Sequence, residues 1–300
     1  MAAGVPPGRI SEGDRMDTGK GMLKAQARRA FRSKAWRYTL LVFVAVLSVA
    51  FIQTCLGFWG HDVAELPSAA YAWVGNHGAM QTPVFGLFVY FLMIPCSSAA
   101  FADRLYLDVR QKQANAIVSR ASLRAYVASI AAIAFAFAFL LTFLALVISQ
   151  LMTLAAFPLV AGQDSFAEFN TPASYEAAVA PAAGVDLLAS LAANNRYAFN
   201  LLIAFYEALW SGIAALVSVT ISLYSKRSRI LVLGLPTLLL LVSSNFLPSE
   251  VNVMATYLGL SFVWGNGATL FWLIALPVLA MLAAVAAIAA ALLTKRDVLL

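Results

Sequence analysis

The sequence is short of charge, of cysteine and of histidine. Only 11% of its 300 residues are Asp, Glu, Lys or Arg while 62% are hydrophobic, a ratio that a water-soluble domain cannot cover with polar surface. The two cysteines, Cys55 and Cys96, fall inside separate apolar runs. Neither their number nor that placement suggests a disulfide framework or a metal site, and both read as ordinary buried thiols. The two histidines, His61 and His77, share one loop between apolar runs, and no aspartate lies deep inside a run. An intramembrane protease therefore has no nucleophile and base to work with, and no metal site is expected. A leader is missing too: the first 37 residues are polar and basic, without the apolar core and small-residue cleavage site of a secretory signal.

Nor is there a nucleotide-binding loop. The stretch GDRMDTGKG puts five residues between Gly13 and Gly19 where a phosphate-binding loop has four, carries Gly21 after Lys20 where Ser or Thr is needed, and follows no strand. The chain is expected to hydrolyse no ATP and to hold no cofactor of its own.

What remains is hydrocarbon. A membrane-crossing helix needs about 20 consecutive apolar residues, and six runs qualify: Tyr38 to Trp59, Pro83 to Phe101, Ala125 to Leu154, Tyr197 to Tyr224, Ile230 to Phe246 and Ala268 to Leu293. Runs such as SIAAIAFAFAFLLTFLALVI are apolar on every face, which excludes the alternation of a barrel strand. The expected fold is an all-α integral membrane protein with six transmembrane helices over 38–300.

Charge orients it. Of the 20 Lys and Arg, 19 fall before the first run, between the second and third, between the fourth and fifth, or after the sixth; only Arg196 falls elsewhere. The positive-inside rule puts both termini in the cytoplasm of a cell-membrane protein. The net charge of +6 is thereby assigned to topology and anionic headgroups rather than to nucleic acid.

Residues 1–20, rich in Gly, Pro and charge, read as a disordered tail. Residues 21–37 have the pattern of an amphipathic interfacial helix, with Leu23, Ala27, Ala30 and Phe31 on one face and Lys24, Arg28, Arg29 and Arg32 on another. A solvated basic linker is the plainer alternative.

Between the second and third runs stands DVRQKQANAIVSRASLRAY. On a single helix over 104–120, Asp108, Gln111, Lys112, Asn115 and Ser119 make one polar face, opposite Leu105, Val109, Ala116 and Ile117, and Asp108 and Lys112 have ion-pair spacing. By pattern alone, a face that docks a soluble partner and a face that meets only solvent and headgroups fit equally.

This stretch resembles the loop between the second and third helices of ABC-2 type transporter permeases. Asp108 takes the acidic place, Ala116 to Val118 the apolar patch, Arg124 the basic place and Tyr126 the aromatic. It departs at Lys112 and Gln113, where the family usually has Gly-Thr, at Ala121 for a common Pro, and at Ile130 for a frequent Lys. Six runs, the basic amphipathic segment, the SLYSKRSR link and the TKRDVL ending are similar to the family as well. The resemblance implies the membrane permease subunit of an exporter. A second copy or related permease would complete the pathway, and a separate ATPase would bring ATP and Mg. Helix 104–120 would be the coupling helix, meeting that ATPase through Asp108, Arg110, Lys112, Asn115, Ser119, Arg120 and Arg124, helped by Lys226 and Arg227.

One acid lies within a run. Glu207 is about a third of the way into the fourth, with Asn200 and Ser211 near the same helical face. Such a group lines a translocation path, or is a protonated carboxyl that glues helices together. Pro95 and Pro236 are expected to kink their helices. The outer segment 158–196 is long enough for a small helical cap, and Trp59, Trp73 and Trp264 suit the interfacial belt. The competing functions are an ATP-independent secondary transporter, which needs broken helices near the midplane, and a non-transporting scaffold or sensor.

Overall fold

In a computed structural model the protein is described over residues 12–75, 82–118, 122–162, 191, 194–225, 228–248, 251–253 and 270–294, with side chains from residue 21 onward except at Asn115. These residues form helices and turns, with no strand among them. Residues 1–11 and 163–190, Ser119, Arg120, Lys226, Arg227 and Trp264 lie outside this set.

Helix α1 (Glu12–Phe31) begins at Glu12, inside the segment expected as tail, and its end differs from expectation as well. Instead of running on to residue 37, it stops at Phe31, and α2 (Lys34–Gly57) begins after Ser33. The break has a local cause. Ser33 has extended backbone and its Oγ accepts from the Ala35 N–H at 3.2 Å, the side-chain cap that lets a helix start afresh.

Four helices are long and apolar enough to cross a membrane: α2, α6 (Leu123–Ala156), α7 (Arg196–Tyr224) and α9 (Leu270–Thr294). Their Leu, Val, Ile and Phe side chains clothe the periphery; Leu41, Leu56, Phe271 and Leu282 are each more than half exposed. Exposed apolar surface on this scale fits lipid and not water. Helix α7 is the most enclosed of the four and α9 the least.

The second run is a broken helix. α3 (Pro83–Ala99) passes through one π segment at Phe88–Leu92, just before Pro95, whose missing N–H cannot serve the preceding turn. A turn at Ala100–Asp103 then bends the chain by 47° into α4 (Arg104–Arg110). A second break follows: α5 (Gln113–Val118) is separated from α4 by Gln111 and Lys112, the latter at φ +59°. The expected continuous helix over 104–120 is thus two short helices at an elbow. The polar face it was to carry, which needs unbroken 3.6-residue periodicity from Asp108 to Ser119, does not form. The fifth run is short: α8 (Arg229–Ser243), with Pro236 inside it, has 15 residues and reaches about 22 Å, below the ~30 Å of a hydrocarbon core.

Packing is tightest along α6 and α7, where Gly212 lies so close to the Phe135 ring that a Cβ would sit 2.8 Å from it. At the end of the bundle opposite the Asp108 junction, residues 69–74 of the first loop tuck into the bundle, with Arg196 over the Tyr71 ring at 5.6 Å. Trp73, expected at the interfacial belt, is 1% exposed and donates to Ser149 Oγ at 2.8 Å, because this end of the bundle has room for an indole that brings its own hydrogen bond. Trp59, by contrast, is exposed. Trp73→Ala is expected to cost about 3–5 kcal/mol and Trp73→Phe about 1 kcal/mol in unfolding experiments in detergent; equal losses for the two would show that the indole N–H, not the buried ring, holds the loop.

Candidate functional site

Asp108 is the centre of the basic end of the bundle. Its side chain is wholly buried, a position a carboxylate tolerates only with partners on every side. Four bonds reach it. Arg29 of α1 grips both oxygens, Nη1 to Oδ2 at 3.1 Å and Nη2 to Oδ1 at 3.2 Å. Arg104, one turn earlier on α4, reaches Oδ1 at 2.9 Å. The Tyr126 hydroxyl, from the first turns of α6, donates to Oδ2 at 2.7 Å. Burial pushes the carboxyl above the ordinary carboxylate range, and the Tyr126 hydroxyl and Arg29 guanidinium pull it back. This constellation joins α1, α4 and α6 at one atom pair.

A second carboxylate does similar work beside it. Asp103, in the α3–α4 turn, accepts from Arg229 Nε at 2.6 Å and so ties the bend to the first residue of α8. Burial raises its pKa, opposed first by the attraction of Arg229.

Asp108 was expected on an exposed docking face paired with Lys112. It is instead an interior residue paired with Arg29 and Arg104, because the elbow turns Lys112 outward. What remains on the surface is the elbow tip, Arg110 to Gln113, all four exposed. The tip is wired inward: Arg29 Nη2 also donates to Gln113 Oε1 at 3.0 Å, and Arg110 reaches the Tyr106 hydroxyl at 3.4 Å. Arg124 is exposed near the start of α6. Ser119, Arg120, Lys226, Arg227 and the Asn115 side chain fall outside the described set.

Helix α1 also presents a different face from the one expected. Gln26 and Ala30 are buried, with Met22 and Ala27 packed around them, while Leu23 is 43% exposed. Phe31 remains part of the apolar contact, 4.6 Å from the Phe137 ring centroid. Lys24, Arg28 and Arg32 are exposed, but Arg29 turns inward to Asp108, since a buried carboxylate recruits the nearest guanidinium.

Inside the bundle the three expected residues separate. Asn200 donates to the Ala70 carbonyl and to Gln150 Oε1, both at 2.7 Å, and so pins the buried first loop. Ser211 accepts from Thr142 Oγ1 at 2.9 Å, a bond between α6 and α7. Both side chains are engaged in bonds to neighbouring elements. Glu207 differs: it is fully buried and neither carboxyl oxygen has a partner among the described residues.

The sequence reading missed Asp103, Arg104 and Arg229 as site residues and Tyr126 as a hydrogen-bond donor. One signal was available. Asp103 and Asp108 are the only acids between Glu65 and Asp164, so two isolated carboxylates stand in a strongly basic loop, a setting in which each is bound to find arginines.

The fold and site define an all-helical protein of membrane type with a buried carboxylate junction at its basic end. Scans against protein-family models, curated proteins and solved structures each find no match.

Removing Asp108 leaves Arg29 and Arg104 facing each other without an anion. Asp108→Ala is therefore expected to destabilise by about 3–5 kcal/mol, and Tyr126→Phe by about 2 kcal/mol, in denaturant titrations of the detergent-solubilised protein. In the Asp108→Ala background, Arg29→Ala should cost far less than it does alone; additive losses would mean that the two side chains do not interact.

Proposed function

We propose that this chain is the six-span permease subunit of an ATP-binding cassette exporter, similar to the ABC-2 type. It sits in the cell membrane with both termini in the cytoplasm. A second permease copy would complete the substrate path, and a separate ATPase would supply ATP and Mg. The observation that carries the proposal is the exposed elbow at Arg110 to Gln113, hung directly beneath the buried Asp108 junction. A push on the tip passes through Gln113 and Arg29 to α1, and through Asp108 and Tyr126 to the 34-residue α6. Lys112 adds support, since its φ of +59° is one that glycine adopts most easily, and it stands where the family usually carries glycine. The docking element is then the tip and not a helix face, with Asp108 transmitting force and touching no partner.

A second reading has observations of its own. The π segment inside α3 and the Glu207 carboxyl, without a partner among the described residues, are features of ATP-independent secondary transporters, which use irregular helices near the midplane and buried acids to carry protons or ions.

Charge reversal at the tip, Arg110→Glu with Lys112→Glu, is expected to abolish copurification with a nucleotide-hydrolysing subunit while shifting the unfolding midpoint little, as exposed substitutions do. Uptake or efflux by vesicles containing this chain alone, without nucleotide and abolished by Glu207→Gln, would sink the exporter proposal in favour of the second reading.

A further inference from the structure

At the basic end, α1, the start of α2, the α3–α4 turn and the first residue of α8 enclose a cavity of about 560 Å³, within the range of small-ligand sites. Its wall carries Arg28, Arg29, Arg32, Arg104 and Arg229 against one acid, Asp103. Even with Asp108 counted from behind the wall, five guanidiniums meet two carboxylates, a formal excess of three positive charges. Their roles differ. Arg29, Arg104 and Arg229 are fixed by Asp108 and Asp103, so they hold their positions without a ligand. Arg28, in the last turn of α1, and Arg32, just past its end, have no acidic partner among the described residues.

Three further features have the same sign. Ser33, on the cavity wall, caps the N-terminus of the 24-residue α2, and Arg229 opens α8, whose cap Ser228 makes no side-chain bond. Both helices direct their positive ends at the cavity. Arg104 Nε is buried and has no hydrogen-bond partner among the described residues. Fixed guanidiniums flanked by free ones and by helix N-termini match a tetrahedral oxyanion, whose oxygens point in several directions and which Arg binds in bidentate fashion, better than the two coplanar oxygens of a carboxylate.

The remaining wall is apolar, with Ala25, Ala35 and Leu107, and Ser33 and Ala35 put the cavity at the end of α2 from which its apolar run, with Leu41 and Val42 exposed, sets out. That is the depth of a lipid headgroup, with acyl chains free to lie along α2. We propose that this cavity binds a phosphate group, carried by an anionic phospholipid of the adjoining leaflet or by a small free phosphate. The inference is independent of whether the chain exports.

The test is calorimetric titration of the delipidated full-length protein in detergent with dihexanoyl phosphatidic acid in one arm and inorganic phosphate in the other. Both bind if the site is a phosphate site; tighter binding of the lipid identifies a headgroup, and equal binding identifies a free anion. Arg28→Ala and Arg32→Ala should each weaken binding about tenfold, while Arg37→Ala, an equally exposed arginine on α2 outside the cavity, should leave it unchanged. If the alanine variants fail to fold, Arg28→Lys and Arg32→Lys should show the same loss in smaller measure, since lysine keeps charge without the bidentate fork. Absence of binding to both probes, wild-type affinity in the Arg28 and Arg32 variants, or an equal loss in Arg37→Ala would overturn the proposal, the last by reducing it to a diffuse basic surface.

Discussion

A carboxylate with no exposed surface organises the basic end of this protein. Stripping water from Asp108 costs several kcal/mol, and only a full set of partners offsets it. Two guanidiniums and a phenol supply them, each from a different place in the chain: α1, α4 and α6. Because losing any one partner leaves part of the buried carboxylate without a hydrogen bond, the three helices are held together. The α3–α4 bend is held in the same manner by Asp103 and Arg229, which brings α8 into the same network. These connections also hold the guanidiniums of Arg29, Arg104 and Arg229 in place around the adjacent cavity.

The interior of the bundle follows the opposite economy. Where the basic end buries charge against charge, the membrane-depth contacts are neutral: Thr142 with Ser211, Trp73 with Ser149, Asn200 with Gln150 and the Ala70 carbonyl. Such bonds join helices at small desolvation cost and fix the depth at which the first loop is inserted. Glu207 stands apart from this economy as a buried acid with no described partner. Groups of that kind persist in membranes because they do something, or because they are carried as neutral carboxyls.

Much of the architecture is legible as composition and run length. Four of the six apolar runs correspond to long helices, since about 20 apolar residues in succession leave few alternatives to a helix in hydrocarbon. The second run is broken by a π segment and a turn, and the fifth is short; Pro95 and Pro236 mark both runs for kinks, but a proline does not record whether a helix bends or stops, as Pro277 inside the 25-residue α9 shows. The expected helix 104–120 failed for a related reason. Periodicity assumes a continuous helix, and a single left-handed residue at Lys112 rotates everything after it out of phase.

By itself the sequence determined that this protein is helical and of membrane type, and that its basic residues gather in segments at one end, because apolar length and charge count are properties of the chain alone. Tertiary structure decided which charges are buried. Arg29 and Asp108 lie 79 residues apart, and no local pattern records that one will turn inward to meet the other while Arg28 and Arg32 stay free. The physical reason is that the cost of burying a charge depends on partners delivered by other helices, so whether Asp108 is a surface residue or the keystone is settled only when α1 and α6 arrive beside it.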